Sequence, residues 1–153
     1  MIDTSVNSND SPLALESQVC FALYSTTLAM TKLYRKLLRE LNLTYPQYLV
    51  MLVLWQNDRR SVSEIGGLLS LDSATLTPLL KRLEKAGLIT RQRVRQDERQ
   101  VEVSLTQSGH ELRQRAETVP GAVVCASQCT PAELQQLKAQ LLNLRGKLLG
   151  ADL

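Results

Sequence analysis

The sequence lacks the features of several protein classes. It has one histidine, His110, and three cysteines without a C-x-x-C pair, so a zinc site is not expected. Its longest apolar run, YLVMLVLW at 48–55, is far too short to cross a bilayer. The start of the chain, MIDTSVNSNDSPLALES, carries acidic residues instead of a basic stretch followed by an apolar core, so no signal peptide is expected. Together with the absence of internal repeats, this favours a soluble globular protein.

The chain length and the thiols narrow the class further. At 153 residues the chain is large enough for one independent core, but small for an enzyme with separate substrate and cofactor lobes. Without an export signal, Cys20, Cys125 and Cys129 are expected in a reducing cytoplasm. There, an odd set of thiols is more often free, catalytic or redox-sensing than structural. No cofactor is expected.

The positive charge is concentrated in one segment. The net charge is only +3, but residues 81–99 include seven basic and three acidic side chains, which gives +4 locally and leaves −1 for the rest of the chain. Such a stripe is either a solvated face or a surface for a polyanion, and charge alone does not separate the two.

The N-terminal part is predicted to be a tail followed by two helices. Residues 1–12 are polar and are expected to form a disordered tail. From 13 to 41, apolar residues recur at three- and four-residue steps, which predicts one long amphipathic helix. A second helix is predicted at about 45–57, with Pro46 in its first turn, and its wide apolar run predicts a central core element.

Two shorter helices are predicted next. The first follows Ser63 and is interrupted by Gly66 and Gly67, which together cost about 2 kcal/mol relative to two alanines, so it needs tertiary support. The second, 73–86, begins after Asp72, which is a good N-cap residue.

A β-hairpin is predicted after these helices. Gly87 supplies a stop for the preceding helix. Residues 88–94 and 100–105 alternate well enough to be two strands, joined by the polar loop RQDER. Helix, turn, helix and hairpin in this order make a winged helix-turn-helix, so the predicted fold is mainly α with a small β-hairpin.

The C-terminal part is predicted to be helical. One helix starts at about Thr106 and is interrupted or bent near Pro120 and Gly121, and the last starts at Thr130, which forms a capping box with Glu133. Within one chain there is little core to cover the long first helix and the leucine stripe of the last, so both are expected to form a dimerisation layer. The predicted organisation is a single domain at 13–153, with dimerisation helices at 13–45 and 106–149 and a DNA-binding part at 46–105.

Candidate DNA-binding residues lie on the helix 73–86 and on the hairpin. Short hydroxyl side chains near a helix N-terminus can approach base edges, and later basic residues can reach phosphates. On the helix these residues are Ser73, Thr75, Thr77, Lys81 and Arg82; on the hairpin they are Arg91, Arg93, Arg95 and Arg99. A plain amphipathic helix is the alternative for the first set, and Pro78 should bend it. Four arginines are too many for a loop that only connects strands, and an arginine at such a tip suits a narrow minor groove.

The first cysteine and two tyrosines raise a separate question. On a helix, Cys20 and Tyr24 are neighbours one turn apart, whereas Tyr34 lies about four turns away. Both tyrosines therefore cannot touch Cys20 within one straight helix. Either the tyrosines are ordinary packing residues and Cys20 is a small buried hydrophobe, or Tyr34 reaches a cysteine of another copy of the chain.

Two stretches resemble a known family. The run SEIGGLLSLDSATLTPLLKRLEKAGLITRQRVRQDERQVEVSLTQSG resembles the winged-helix core of MarR-type transcription regulators, including Asp97-x-Arg99 followed by V-x-V-x-L-T. CFALYSTTLAMTKLYRKLL and LTYPQYLVMLVLW are similar to the organic hydroperoxide sensors of that family, the OhrR proteins. The resemblance covers about 13–149. It implies a homodimeric repressor in which Arg99, steadied by Asp97, enters the minor groove of operator DNA while the helix from Ser73 reads the major groove.

The same resemblance implies roles for the thiols and phenols. It gives Cys20 the peroxidatic role and places Tyr34 and Tyr45 of the other subunit against its sulfur, with Tyr24 as a weaker candidate. Phenol hydroxyls can donate to a thiolate, the form that reacts with peroxide. In family members with two cysteines, a late cysteine resolves the oxidised thiol. Cys125 fits that role, and Cys129 is a candidate substitute.

Two other functions remain open from the sequence. One is a MarR-type regulator that binds a small aromatic ligand and whose cysteines are incidental. The other is a thiol peroxidase, which would need many turnovers with a reductant and would have no use for the basic hairpin. The sequence favours the peroxide-inactivated repressor over both and predicts a protein that is not an enzyme and is located in the cytoplasm.

Overall fold

The structure is a computed structural model that describes residues 11–152, apart from the side chain of Glu98. Most of the predicted tail at 1–12 thus lies outside the described residues. The helices are α1 (Val19–Leu37), α2 (Tyr45–Gln56), α3 (Val62–Leu69), α4 (Ser73–Lys85), α5 (Gln107–Ala116), α6 (Val119–Ser127) and α7 (Pro131–Leu149), and the strands are β1 (Arg60–Ser61), β2 (Ile89–Val94) and β3 (Asp97–Leu105). Short 3-10 helices lie at Leu15–Ser17 and Arg39–Leu41. No helix within the described part of the chain is long and apolar enough to cross a membrane.

The predicted single helix at 13–41 is wrong at both ends. Gln18 is extended, and its side-chain amide donates hydrogen bonds to the carbonyl oxygens of Pro12 (2.6 Å) and Ala14 (3.0 Å), which separates the first 3-10 turn from α1. At the other end, α1 stops at Leu37 and Asn42 adopts a left-handed conformation with φ 53°. Apolar spacing identifies the buried face of a segment but does not report such backbone breaks.

The predictions for α2 are confirmed, with its end one residue earlier than expected. Thr44 and Gln47 form a reciprocal capping box: the Thr44 N–H donates to Oε1 of Gln47 (2.9 Å), and the Gln47 N–H donates to Oγ1 of Thr44 (3.4 Å). Pro46 lies in the first turn, where its missing N–H costs nothing. The helix supplies several of the buried core side chains of its unit, among them Val50, Met51 and Leu54.

The start of α3 differs from the prediction. Ser61, and not Ser63, is the N-cap, because its hydroxyl accepts the N–H of Glu64 at 3.1 Å. The helix also runs through both glycines without interruption. A Cβ on Gly66 would lie 2.8 Å from the carbonyl oxygen of Leu71, whereas a Cβ on Gly67 would meet nothing within 4 Å. Gly66 is therefore required for the close approach of the turn between α3 and α4, and Gly67 is not.

The sheet has three strands and not the predicted two. β2 and β3 pair antiparallel from Ile89 opposite Leu105, and β1 adds to the other edge of β3 with Arg60 opposite Val103. β3 begins at Asp97, so most of RQDER belongs to a strand and only 95–96 turn the chain. The register shifts between Arg93 and Val94, which leaves a bulge at 98–100. Long-range pairing of a two-residue strand gives no periodic signal in the sequence.

The chain forms two compact units, one up to His110 and one from Glu111. The core of the first unit contains leucines of α4, with Ile65, Ile89 and Val103. In the second unit Leu112, Ala116 and Val119 are buried.

The C-terminal helices largely follow the prediction. The predicted bend near Pro120 is a break between α5 and α6 that lies just before it, with Pro120 tolerated in the first turn of α6. The capping box at the start of α7 is confirmed, since the N–H groups of Thr130 and Glu133 donate to each other's side chains at 2.7 and 3.1 Å.

Candidate nucleic-acid interface and thiol site

The helix α4 presents the predicted polar face. Its leucines Leu76, Leu79, Leu80 and Leu83 are buried, while Ser73, Thr75, Lys81 and Arg82 are exposed. Thr77 is half-buried, and its hydroxyl donates to the carbonyl oxygen of Ser73 at 2.7 Å, so its lone pairs remain available as acceptors. The helix is continuous through Pro78.

Asp72 holds the N-terminus of this helix. Its Oδ1 accepts the Thr75 N–H at 2.7 Å. This backbone hydrogen bond, followed by one from the Thr75 hydroxyl, holds the pKa of the exposed Asp72 carboxyl below its usual value. The N-terminus of α4 is therefore capped by a negatively charged carboxylate, which the positive end of the helix dipole favours.

Arg91 has a different environment from the other hairpin arginines. It lies near the base of β2, where its guanidinium donates to Oε1 of Glu84 and its N–H donates to Oε2, both at 3.1 Å. The side-chain hydrogen bond to Arg91 lowers the pKa of the Glu84 carboxyl. The pair joins α4 to the first strand of the wing, and Glu84 is a structural partner that sequence reasoning missed.

The remaining arginines lie toward the tip of the wing. Arg93, Arg95 and Arg99 are exposed on the hairpin formed by β2 and β3. Asp97 contacts Arg99, as expected, but through the backbone: its Oδ1 accepts the Arg99 N–H at 3.1 Å. The carboxylate thus orders the main chain of the bulge, and the Arg99 side chain is exposed.

The three thiols are free and exposed. Cys20 lies in the first turn of α1, followed one turn later by Tyr24, whose side chain is also exposed. Cys125 lies on α6, beyond the helix break, and not on one uninterrupted fifth helix. Cys129 follows α6; its N–H donates to Oγ of Ser127 at 3.2 Å and its thiol to the Ser127 carbonyl oxygen at 3.4 Å.

The structure brings Tyr34 and Tyr45 together at the opposite end of α1. Their ring centroids are 4.3 Å apart, and the ring of Tyr48 lies 5.8 Å from the first and 6.4 Å from the second. Burial, followed by the neighbouring phenols Tyr45 and Tyr48, raises the pKa of Tyr34 to about 12. Burial also raises the pKa of Tyr45 and of Tyr48. All three therefore remain neutral O–H donors at physiological pH.

The thiol and the phenols of one chain are far apart. Cys20 and Tyr34 belong to the same continuous helix, and a rise of 1.5 Å per residue separates their backbones by about 21 Å. Sequence reasoning found Tyr34 and Tyr45 but missed Tyr48, whose position one turn after Thr44 in an apolar run indicated only core packing.

A small cavity lies beside the phenols. It has a volume of about 170 Å³ and is lined by Thr31, Arg35, Leu43, Thr44, Tyr45 and Pro46. In the described part of the chain, no group of three or more His, Cys, Asp or Glu side chains is arranged to hold a metal ion.

Comparisons with known proteins find similar sequences and structures. A sequence profile of the SarA/Rot transcriptional regulators matches residues 32–116. The chain is 48% identical to the organic hydroperoxide resistance transcriptional regulator of Bacillus subtilis (strain 168), over 86% of this chain and 90% of that protein.

Solved structures of AbfR, a protein of Staphylococcus epidermidis, are also similar. Reduced AbfR bound to DNA matches with a TM-score of 0.70 and 33% identity, over 90% of this chain and 96% of that one. The disulfide form of AbfR matches with a TM-score of 0.61 and 38% identity, over 85% and 91%.

Proposed function

Since the chain belongs to the MarR/SarA family of winged-helix, DNA-binding transcriptional regulators, we propose that it is a homodimeric repressor that releases operator DNA when organic hydroperoxides oxidise Cys20. The observation that carries the proposal is the stacked pair Tyr34 and Tyr45, located at the far end of α1 from the thiol of the same chain. A second copy of the chain would bring its own Cys20 to these phenols.

The DNA-binding half of the proposal rests on α4 and the wing. Ser73 and Thr75 are exposed near a capped helix N-terminus, which suits contacts to base edges in the major groove. Lys81 and Arg82 are exposed farther along the helix, where they would contact phosphates. Arg99, with its backbone held by Asp97, is suited to a minor groove.

The proposed homodimer rests on exposed apolar side chains. Along α1, Val19, Phe21, Tyr24, Leu28 and Met30 are exposed. On α7, Leu137, Leu141, Leu142, Leu148 and Leu149 are exposed. Many exposed large apolar side chains on two helices favour burial against another copy, so we propose that both helices belong to the dimer interface.

The sensing half is two-electron thiol chemistry. The Cys20 thiolate attacks the outer oxygen of the hydroperoxide, the O–O bond breaks, and the alkoxide takes a proton and leaves as an alcohol. Cys20 becomes a sulfenic acid. The Cys125 thiolate of the other subunit then attacks that sulfur, forming a disulfide and expelling hydroxide, which takes a proton from solvent to become water. The neutral phenols of Tyr34 and Tyr45 favour the first step by donating hydrogen bonds to the thiolate.

One experiment tests both the DNA-binding role and the sensing mechanism. Reduced protein is used to select duplexes from a random pool, and the selected duplex is footprinted with reduced protein and with protein treated with one equivalent of cumene hydroperoxide. We expect a two-fold symmetric footprint with half-sites about one helical turn apart, lost on oxidation and restored by a thiol reductant. Cys20→Ser should keep the footprint under both conditions. A footprint that survives full oxidation of Cys20 contradicts the sensing mechanism, and the absence of any selected duplex contradicts the DNA-binding role.

The cavity beside Tyr45 favours a second candidate, a regulator that responds to a small aromatic ligand. Its lining combines apolar carbon with the Arg35 guanidinium and the hydroxyls of Thr31 and Thr44, which suits a compact aromatic acid. Such a regulator would release DNA with salicylate while Cys20 stays reduced. Mass spectrometry of the thiols after each treatment separates the two mechanisms.

A further inference from the structure

The phenol pair is the end of a longer line of aromatic rings. From Tyr34 and Tyr45 the contacts continue to Tyr48, which is 3% exposed, and from Tyr48 to Trp55, whose ring lies edge-on at 6.5 Å. Tyr45, Tyr48 and Trp55 all belong to α2, so the line follows one face of this helix from its first turn to its last. Edge-on and tilted aromatic contacts of this kind prefer defined ring geometries, so a displaced ring disturbs its neighbour.

A hydrogen bond from Trp55 extends the line beyond α2. The indole N–H of Trp55 donates to the carbonyl oxygen of Gly109 in the first turn of α5, at 2.9 Å. Trp55 is half-buried, and its indole nitrogen is a donor only. Because a carbonyl has two lone pairs, this bond adds to the helical hydrogen bond that the same oxygen accepts. Loss of the Trp55–Gly109 hydrogen bond would leave α5 formed but without this bond to α2.

Gly109 in turn contacts the joint between the reading helix and the wing. There is no room for a side chain at this position, because a Cβ would clash with the carbonyl oxygen of Leu88 and approach Leu105 Cδ2 to 3.2 Å. The Gly109 N–H donates to Oγ1 of Thr106 at 3.1 Å. The Thr106 hydroxyl donates to the carbonyl oxygen of Gly87 at 2.6 Å, and its N–H donates to that of Leu88 at 3.0 Å.

Gly87 and Leu88 are two of the three residues between α4 and β2. Gly87 ends α4 with φ 77°, and Ile89 begins the first strand of the wing. This short connection and the Glu84–Arg91 pair together orient α4 relative to the wing. An unbroken series of contacts therefore joins the sensing phenols to the hinge of the DNA-reading surface, within one compact unit.

We propose that Trp55 is the positioning residue that couples the oxidation state of the thiol site to the geometry of the DNA-reading surface. The inference rests on the proposed function. When oxidation of Cys20 displaces the phenols, Tyr48 and Trp55 shift with them, and the Trp55–Gly109 hydrogen bond carries the shift to Thr106, Gly87 and Leu88. Trp55 contacts neither the reacting sulfur nor DNA, so its removal uncouples the two events and leaves each of them intact.

The test compares three quantities in the full-length protein: the rate of Cys20 oxidation by cumene hydroperoxide, and the DNA dissociation constants of the reduced and the oxidised protein. Trp55→Phe keeps an aromatic ring and removes the N–H. We expect its oxidation rate and its reduced-state affinity to stay within about threefold of wild type. The ratio of oxidised to reduced dissociation constants should fall by roughly fivefold or more, as for a lost allosteric coupling.

Two Tyr48 variants provide matched controls. Tyr48→Phe keeps the ring contacts and should behave as wild type. Tyr48→Leu interrupts the line of rings and should reduce the ratio of oxidised to reduced dissociation constants as Trp55→Phe does. The double variant with Tyr48→Leu and Trp55→Phe should reduce this ratio no further. Reduced-state DNA binding of each variant shows that it is folded.

The fluorescence of Trp55 supplies an independent measurement. As the only tryptophan in the chain, it should change its emission when Cys20 is oxidised in the wild type and in Tyr48→Phe, but not in Tyr48→Leu. If Trp55→Phe releases DNA on oxidation with the wild-type ratio, Trp55 is not the coupling residue, although the sensing mechanism stands. If the wild type itself keeps its DNA after full oxidation, the sensing mechanism and the coupling both fail.

Discussion

The tilted rings of Tyr34 and Tyr45 are in contact with their centroids 4.3 Å apart, although the two residues belong to different helices. Their phenols stay protonated at physiological pH because burial raises the pKa of each. They thus form a preassembled pair of hydrogen-bond donors, about 21 Å along α1 from Cys20 of the same chain. The proposed sensing mechanism therefore takes Cys20 from a second protomer.

Removing either hydroxyl should slow the reaction with hydroperoxide. In Tyr34→Phe and Tyr45→Phe the rings still stack, but a hydrogen bond to a charged sulfur is lost, which is worth about 1.5 kcal/mol and corresponds to about a tenfold rate reduction. The measurement is the rate of thiol loss with cumene hydroperoxide. Tyr24→Phe, at an exposed position outside the cluster, is the control and should react nearly as wild type. If both Tyr34→Phe and Tyr45→Phe reacted at the wild-type rate, the two tyrosines would have only a packing role.

Oxidation should produce a covalent dimer. On a non-reducing gel, we expect a crosslink in the wild type and in Cys129→Ser, and none in Cys20→Ser or Cys125→Ser. Thiol reductant should reverse both the crosslink and the loss of DNA binding, because a disulfide is exchangeable. A crosslink that persists in Cys125→Ser would assign the resolving role to Cys129. A wild type that releases DNA without crosslinking would indicate a mechanism with Cys20 alone.

Arg99 and Arg91 should differ in their effects, although both are wing arginines. Arg99 is exposed on the wing, so Arg99→Ala should weaken DNA binding and reduce the slope of log affinity against log salt by about one. Arg91 is paired with Glu84, so Arg91→Ala should mainly lower the unfolding free energy. Binding over a salt series and urea unfolding of both variants check this. An unchanged salt slope for Arg99→Ala would remove the wing tip from the interface.

The adjacent glycines of α3 should respond to alanine with opposite signs. Gly67→Ala adds a methyl group to open space in a helix and should stabilise the protein by about 0.5–1 kcal/mol. Gly66→Ala forces a Cβ against the Leu71 carbonyl oxygen and should destabilise it by about 1–3 kcal/mol. Urea unfolding of the two variants gives the answer directly. Equal effects would mean that the turn after α3 adapts to a side chain.

Stability at high pH should depend on Tyr34. Its folded pKa is about 12, above the value of 10.0 for an unperturbed tyrosine, so the unfolded chain loses this proton first. The contribution is fully present below pH 10 and is lost as the pH rises from 10 through 12. Urea unfolding across this range should show a steeper decline for wild type than for Tyr34→Phe. Parallel curves would mean that burial does not perturb this phenol.

Much of the fold was predictable because local chemistry determines it. The capping box of Thr130 and Glu133, the N-cap at Asp72 and the stop at Gly87 each depend on residues within one turn of each other, and the structure contains all three. The buried leucines of α4 follow from helical periodicity alone. The predicted start of α3 after Ser63 was wrong. Ser61 and Ser63 have the same side chain, and only the backbone path selects Ser61 as the N-cap.

The sequence by itself determined which segments are mainly helical and where the basic wing and the thiols lie along the chain, since these follow from composition and spacing, but not where each helix begins and ends. Only the tertiary structure decided that Tyr48 and Trp55 extend the phenol pair toward Gly109, that Arg91 pairs with Glu84, and that Gly66 is needed where Gly67 is not. Each of these contacts depends on how separate elements pack. Packing is set by the burial of many side chains at once, and no local pattern in the sequence records which distant partner a residue will meet.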